Sequence, residues 1–207
     1  MLSVRSIETG TLELLKSLSV LPSLAGTRLV GGTALALQYG HRMSVDLDFF
    51  GSVNVDDNTL LEELRTAGHV TGFRHVSPKI RFCLIDDIKV DIVDYSMYPW
   101  IDNAVIEGPI RLASASDIAA MKVNAIEGRG TKKDFIDLYE LLHHYSLNEI
   151  LTFYAQKYPE HSNFRALMSM AYFDDADAQI SPKTYDLPDW NTMKEFIREK
   201  IVAYSPE

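Results

Sequence analysis

Three aspartates and two glycines are the residues of this chain best suited to chemistry. Asp46 and Asp48 lie two apart in Asp46-Leu47-Asp48-Phe49-Phe50, a run that reads as a strand. A period of two puts both carboxylates on one face and turns Leu47 and Phe49 towards a core. Two carboxylates side by side repel unless a cation stands between them. Hard oxygen ligands of this kind suit Mg2+ or Mn2+. Asp91 is the lone acid in Ile88-Lys89-Val90-Asp91-Ile92-Val93, where Ile88, Val90 and Ile92 share one face and Asp91 falls on the other. A buried carboxylate has to be paired or metal-bound, so Asp91 reads as a third ligand. The alternative is a solvent-facing acid on a half-exposed sheet. Asp94 competes for the place but points to the opposite face. Three such acids could hold two divalent ions about 3.5–4 Å apart, the usual arrangement for phosphoryl and nucleotidyl transfer. Such transfers need positioning and charge neutralisation more than covalent chemistry from the protein.

Gly31 and Gly32 follow the short apolar run Leu29-Val30 and precede a helical segment over 33–39 that Gly40 breaks. Adjacent glycines let backbone amides approach a bulky anion, and amides at a helix start favour phosphate. Thr33 either adds its hydroxyl to that grip or caps its helix, and both roles are compatible. Arg42 either contacts phosphate or orients an aspartate through a bidentate pair. Ser44 reads as a turn or supporting hydrogen bond for the acids. His41 reads as a surface histidine.

The elements that must position these groups follow from pattern. Leu12, Leu14, Leu15, Leu18 and Leu21 give helical spacing up to Pro22, so residues 1–28 read as helical. A second helix is expected over 56–67, with Asp57 or Asn58 as N-cap and Gly68 past its end; Leu60, Leu61 and Leu64 would face the sheet. Strands are expected over 70–76, 79–85 and 88–93, with Asp86-Asp87 as a turn. Residues 110–118 lead into a helix capped by Ser114 or Ser116, with Asp117 in its first turn. Helices over 134–142, 147–158, 164–170 and 190–204 complete the chain. The fold class is α/β (α+β): a mixed β-sheet core with flanking helices over residues 1–110, and a mainly helical C-terminal part over 111–207.

Composition sets outer limits. The 207 residues are 46% apolar and 24% charged, an ordinary globular balance. The net charge of −9 disfavours a broad polyanion-binding surface, so a nucleic-acid substrate would need a local basic patch. No apolar run approaches a membrane span. Glu8 and Glu13 interrupt the N-terminus, which reads as lacking a signal peptide. Cys83, the single cysteine, sits in an apolar strand-like run and reads as a buried core thiol. One cysteine excludes an intramolecular disulfide and fits a cytoplasmic protein.

Gly31-Gly32-Thr33, followed by Arg42-x-Ser44-x-Asp46-Leu47-Asp48-Phe49-Phe50, resembles the AbiEii/AbiGii toxin family of nucleotidyltransferases, within the polymerase-beta-like superfamily. The resemblance runs from about residue 29 to about 177. Its specific part is 31–50. The superfamily pattern is a Gly-rich turn, a short helix, an Asp-x-Asp strand and a third acid on a neighbouring strand, the place Asp91 would take. The family carries a lysine on a later helix, then an arginine, then a basic-Asp-x-x-Asp-Leu-Tyr segment. Lys122, Arg129, Lys133, Asp134 and Asp137 match these, and residues 171–177 resemble a tail motif of the family.

The resemblance implies a nucleotidyltransferase-type core with Asp46, Asp48 and Asp91 holding Mg2+ or Mn2+. It implies that Lys122 is needed for activity, through a phosphate or base contact. Gly31, Gly32, Thr33, Arg42, Ser44, Lys122, Asp134 and Asp137 would line the nucleoside triphosphate. On the residues alone Lys122 also reads as an ordinary exposed lysine. Asp134 and Asp137 share a helix face, as partners for Lys122 and Arg129 or as solubilising acids. Lys132 and Lys133 would meet an RNA backbone or lie in solvent. The family further implies the toxin half of a toxin–antitoxin or phage-defence pair, with tRNA as acceptor and a cognate antitoxin as partner. Alternatives are transfer to a protein or to a small molecule such as an aminoglycoside, or a nucleotide-binding module without turnover.

Overall fold

The computed structural model describes residues 2–205. Residues 1, 206 and 207, which the expected domain limits include, lie outside the described residues. In chain order the elements are α1 (Thr9–Ser19), β1 (Thr27–Leu29), α2 (Gly31–Tyr39), β2 (Leu47–Gly51), α3 (Asp57–Ala67), β3 (Val70–Ser77), β4 (Ile80–Ile85), β5 (Ile88–Asp94), β6 (Val105–Glu107) and β7 (Ile110–Leu112). Helices α4 (Ala115–Gly128), α5 (Lys132–Leu141), α6 (Leu147–Lys157), α7 (Asn163–Met170), α8 (Asp174–Asp177) and α9 (Trp190–Val202) follow.

The strands form one seven-stranded mixed sheet in the order β3-β4-β5-β2-β1-β7-β6. β2 lies between β5, which runs parallel to it, and β1, which runs antiparallel. β5 therefore comes back beside β2 only after α3 and the β3–β4 hairpin have been made. Asp86 and Asp87 both adopt positive φ, 49° and 64°, and turn β4 tightly into β5. Behind the sheet's centre, Leu47, Phe49, Val90 and Ile92 are buried together with Leu35 and Leu37 of α2. Leu60 and Leu64 of α3 are fully buried, while Leu61 is only half-buried.

Several expectations need correction. Residues 1–28 are not one helix: Pro22 starts a short 3-10 turn and Thr27 already lies in β1, where Thr27 pairs with Gly51. The cap of α3 is Asp56, whose carboxylate accepts from the amides of Asn58 and Thr59 at 3.0 and 3.1 Å. Asp57, expected there, instead pairs with Arg81 at 2.7 Å and with His75. The β6–β7 hairpin was not expected; three residues per strand leave too short a pattern to read.

The chain divides into two compact units. The first runs to Pro99 and takes in Asn103–Ala113; the second takes Trp100–Asp102 and continues from Ser114. The boundary thus falls three residues beyond the expected 110, because β7 joins the sheet beside β1, and Trp100–Asp102 groups with the later helices. Among the described residues no helix is long and apolar enough to cross a membrane.

Candidate active site

Strand β2 carries Asp48, and Asp46 lies just before it. The burial of β2 alternates, with Leu47, Phe49 and Gly51 inward and Asp48 and Phe50 half-buried on the other face. In β5, Val90 and Ile92 are buried and Lys89 and Asp91 are half-buried. The parallel register pairs Asp48 with Asp91. Residues paired across parallel strands point to the same face, so the two carboxylates stand side by side. Asp46 lies one residue before the first pair of that register, Leu47 with Val90. Asp94 pairs with Gly51 further along, on the opposite face from Asp91. There it accepts from the Ser96 amide.

Lys89 was not singled out by sequence, although its position two residues before Asp91 on the same strand face was a readable signal. Its ammonium lies 2.6 Å from Asp91 Oδ2, with the lysine side chain 42% exposed and that of Asp91 20% exposed. Burial works against the charged lysine. The hydrogen bond and charge of Asp91, with the fields of Asp48 and Asp46, outweigh it and hold the Lys89 pKa above the usual lysine value.

Gly31 supports Asp48 from below. It adopts a positive φ of 70°, and a Cβ built there would lie 2.7 Å from Asp48 Oδ2. No other residue type could take that conformation at that distance without moving the carboxylate. The backbone locks the same corner, since the Val30 amide donates to the Asp48 carbonyl at 2.9 Å. Thr33 does not cap α2, whose N-cap is Val30 with no side-chain bond. The Thr33 hydroxyl is buried, bonded to the Ser44 hydroxyl at 2.8 Å and to the Asp46 carbonyl. It thus fastens the segment that carries Asp46. Ser44 is further held by its amide on the Ser6 carbonyl at 2.9 Å. Arg42 is buried and donates to the Met43 carbonyl at 3.0 Å. His41 is buried as well, not on the surface; Gly40, at φ 72°, ends α2 and turns the chain inward there.

The acids suit a divalent ion in kind: they are hard oxygen donors, adjacent, and already drawn to a cation. Among the described residues, however, no three side chains of His, Cys, Asp and Glu are grouped to hold one ion. The cation beside Asp91 Oδ2 is the Lys89 ammonium. Cys83 lies in β4 across from Val90, buried. Burial, then the nearby Asp91 charge, pushes its thiol up to about 12, which leaves no thiolate for nucleophilic work.

The remaining expected residues lie in the second unit and come together there. Lys122 of α4 is almost fully buried, its ammonium 3.0 Å from Asp134 and 2.6 Å from Asp137 of α5, both at 0% exposure. Arg129 adds two bonds to Asp134, at 3.0 and 3.2 Å. Asp134 also closes a capping box with Thr131 at the start of α5. Burial alone would raise the Asp134 pKa; the charges of Lys122 and Arg129 and their hydrogen bonds hold it far below the usual range. The exposed-lysine and solubilising-acid readings are thereby overturned. Lys132 is buried too, on the carbonyls of Asp177 and Gln179, so of the two basic residues only Lys133 is exposed.

A second buried pair escaped the sequence reading. Lys157 of α6 lies 2.7 Å from Asp117 of α4, both fully buried, with the ammonium 4.7 Å over the Trp100 ring. Asp117 also accepts from Ser114 Oγ at 2.6 Å and from the Ile101 amide at 2.9 Å. A first-turn acid is ordinarily solvated, and nothing local distinguished this one.

Residues 13–203 match the family described as "Nucleotidyl transferase AbiEii toxin, Type IV TA system". The chain is 33% identical over 182 residues to an uncharacterized protein, aq_aa25, of Aquifex aeolicus (strain VF5), covering 85% of this chain and 86% of that one. In fold it is similar to JHP933 of Helicobacter pylori, with a TM-score of 0.53 at 19% identity over 93% of this chain and 86% of that one. A second H. pylori crystal structure, provisionally assigned as a nucleotidyltransferase, gives a TM-score of 0.54 at 20% identity over 93% and 89%. The match over nearly the whole chain, with the paired aspartates beside a glycine turn, makes this protein a nucleotidyltransferase of the AbiEii toxin family.

Proposed function

We propose that the chain carries out metal-dependent transfer of a nucleotide from a nucleoside triphosphate, with Asp46, Asp48 and Asp91 as the acids of the reaction. The observation that carries this reading is the in-register pair Asp48–Asp91, with Asp48 packed against Gly31. An acceptor hydroxyl oxygen attacks the α-phosphorus. The new O–P bond forms as the bond to the β-phosphate oxygen breaks, pyrophosphate leaves, and the hydroxyl proton passes to solvent. Bound Mg2+ would neutralise the phosphates and lower the acceptor pKa. Gly31 and Gly32 offer backbone amides to the triphosphate. Thr33 and Ser44 hold the Asp46 segment in place, and Arg42 is buried within the same segment. The family description supports a toxin with a cognate antitoxin, and tRNA, the acceptor that the motif resemblance implies, is the first acceptor to test.

The test is incubation of the pure chain with each α-labelled triphosphate and Mg2+, in separate reactions with total RNA, a protein extract and an aminoglycoside. The expected result is label in the tRNA fraction from one triphosphate, with Asp48→Asn lowering the rate at least about a thousandfold. Label in the protein or drug fraction would replace the acceptor. No transfer from any triphosphate, or an Asp48→Asn variant as active as the wild type, would end the catalytic reading.

A further inference from the structure

One row of paired residues crosses the sheet: Asp48 of β2 with Asp91 of β5, Asp91 with Phe82 of β4, and Phe82 with Arg74 of β3. Paired residues share a face, so all four stand on the face that carries the acids. Cys83 and Ile85 of β4 are buried on the other face. Phe82 is half-buried, as are Ile80 and Leu84 along the same face of β4, and Arg74 is exposed. Strand spacing sets the Phe82 backbone about 5 Å from that of Asp91, and that of Arg74 about 10 Å away. The Arg74 guanidinium lies over the Phe82 ring, 4.8 Å from its centroid.

β3 is distorted to bring Arg74 there. Thr71 pairs with Leu84 and Arg74 with Phe82, so β3 uses one residue more than β4 over this stretch. Regular pairing onward from Thr71 would set Phe73 against Phe82, and Arg74 against Arg81 on the other face. The bulge includes Gly72 at φ 63°, and a Cβ built there would lie 3.8 Å from Phe82 Cε1. Bulges beside active sites re-aim a side chain in this way.

The attacking and leaving oxygens of nucleotidyl transfer lie roughly in line. Gly31 and Gly32, which offer their amides to the triphosphate, follow β1, and β1 and β5 flank β2 on opposite sides. The acceptor hydroxyl then enters from the β5 side, where β4 and β3 present Phe82 and Arg74. Unpaired bases stack on aromatic rings and on guanidinium planes, and guanidinium N–H groups donate to phosphate. On a chain of net charge −9, Arg74 supplies local positive charge for such a strand.

We propose that Phe82 and Arg74 form the acceptor platform of this site, and that the acceptor is the single-stranded end of an RNA. Its last unpaired base stacks at Phe82, Arg74 takes the adjoining phosphate, and the terminal hydroxyl is presented to the acids. This rests on the nucleotidyl-transfer reading of the same site.

The test uses a short single-stranded oligoribonucleotide with 2-aminopurine as its 3′-terminal base. It is titrated with the intact chain and Mg2+, without triphosphate, and stacking is read as quenching of the 2-aminopurine fluorescence. The wild type is expected to quench the probe. Phe82→Leu removes the ring at a half-buried position and should weaken binding about five- to a hundredfold; Phe82→Tyr should restore it. Arg74→Gln, at an exposed position, should weaken binding and lower its log–log salt slope by about 0.7, while Arg74→Lys keeps the slope. In transfer to tRNA, Phe82→Leu should raise the acceptor KM and leave the triphosphate KM unchanged. An unquenched probe, equal affinity in wild type and Phe82→Leu, or a raised triphosphate KM in place of the acceptor KM would overturn the platform. Transfer that Asp48→Asn abolishes would keep the catalytic reading standing in each of those cases. Probe binding that depends on Phe82, in a chain that transfers from no triphosphate, would keep the strand-end site and end the catalytic reading.

Discussion

Lys89 meets Asp91 at 2.6 Å, and Lys122 meets Asp137 at the same 2.6 Å, but the surroundings differ. Lys89 is 42% exposed and its partner Asp91 20% exposed. Lys122 is 5% exposed, and its two acids, Asp134 and Asp137, are wholly buried with Arg129 as a further cation. In the half-exposed pair water screens the charges, so another cation can replace the ammonium at little cost. In the buried cluster each charge is answered, and removing one strands its partner out of water. The contact distance is thus no guide to what a lysine–aspartate pair is for. Exposure and local charge balance decide it.

That contrast can be broken in three ways. The largest effect should come from Asp134→Ala, which strands Lys122 and Arg129; a loss of about 3–5 kcal/mol in urea unfolding is expected. A loss under about 1 kcal/mol would place the second cluster in the same screened class as the first. Gly31→Ala should come next. It forces an alanine to φ 70° and a Cβ to 2.7 Å from Asp48 Oδ2, so a stability loss of about 1–2 kcal/mol is expected. Because Asp48 must shift, transfer should fall about tenfold or more. Unchanged transfer would separate Asp48 from the chemistry. The smallest effect is on acidification. The folded Asp134 pKa is depressed, so its contribution is fully present above the unfolded carboxyl value of about 3.9 and is lost as pH falls below it. Unfolding free energy measured from pH 7 to pH 3 should drop only below about pH 4, and Asp134→Asn should flatten that drop.

Asp46, Asp48 and Asp91 were legible because each breaks an apolar alternation, and such breaks are costly without a reason. Helices α4, α5, α6, α7 and α9 were legible from their periodicity, and α4 also from its serine cap; the four-residue α8 was not expected. Which strands become neighbours was not. β5 lies beside β2 with 36 residues between them, and no local pattern encodes that register. Lys89 was passed over, although its place two residues before Asp91 on one strand face was readable, because a lysine on a strand is ordinarily solvated. Asp117 and Lys157 were invisible for the same reason, forty residues apart and each unremarkable alone. Lys122 was found only through the family pattern, and its burial against Asp134 and Asp137 was not readable from spacing.

The detour of Trp100–Asp102 bears on how this protein can be taken apart. A fragment stopped after Pro99 would lack β6 and β7 and leave one side of β1 as a raw sheet edge, open to pairing with any neighbouring chain. A fragment begun at Ser114 would lack the amides of Ile101 and Asp102 that Asp117 accepts from, and the Trp100 ring under Lys157. Neither half is a ready-made module, and no single cleavage point yields both intact.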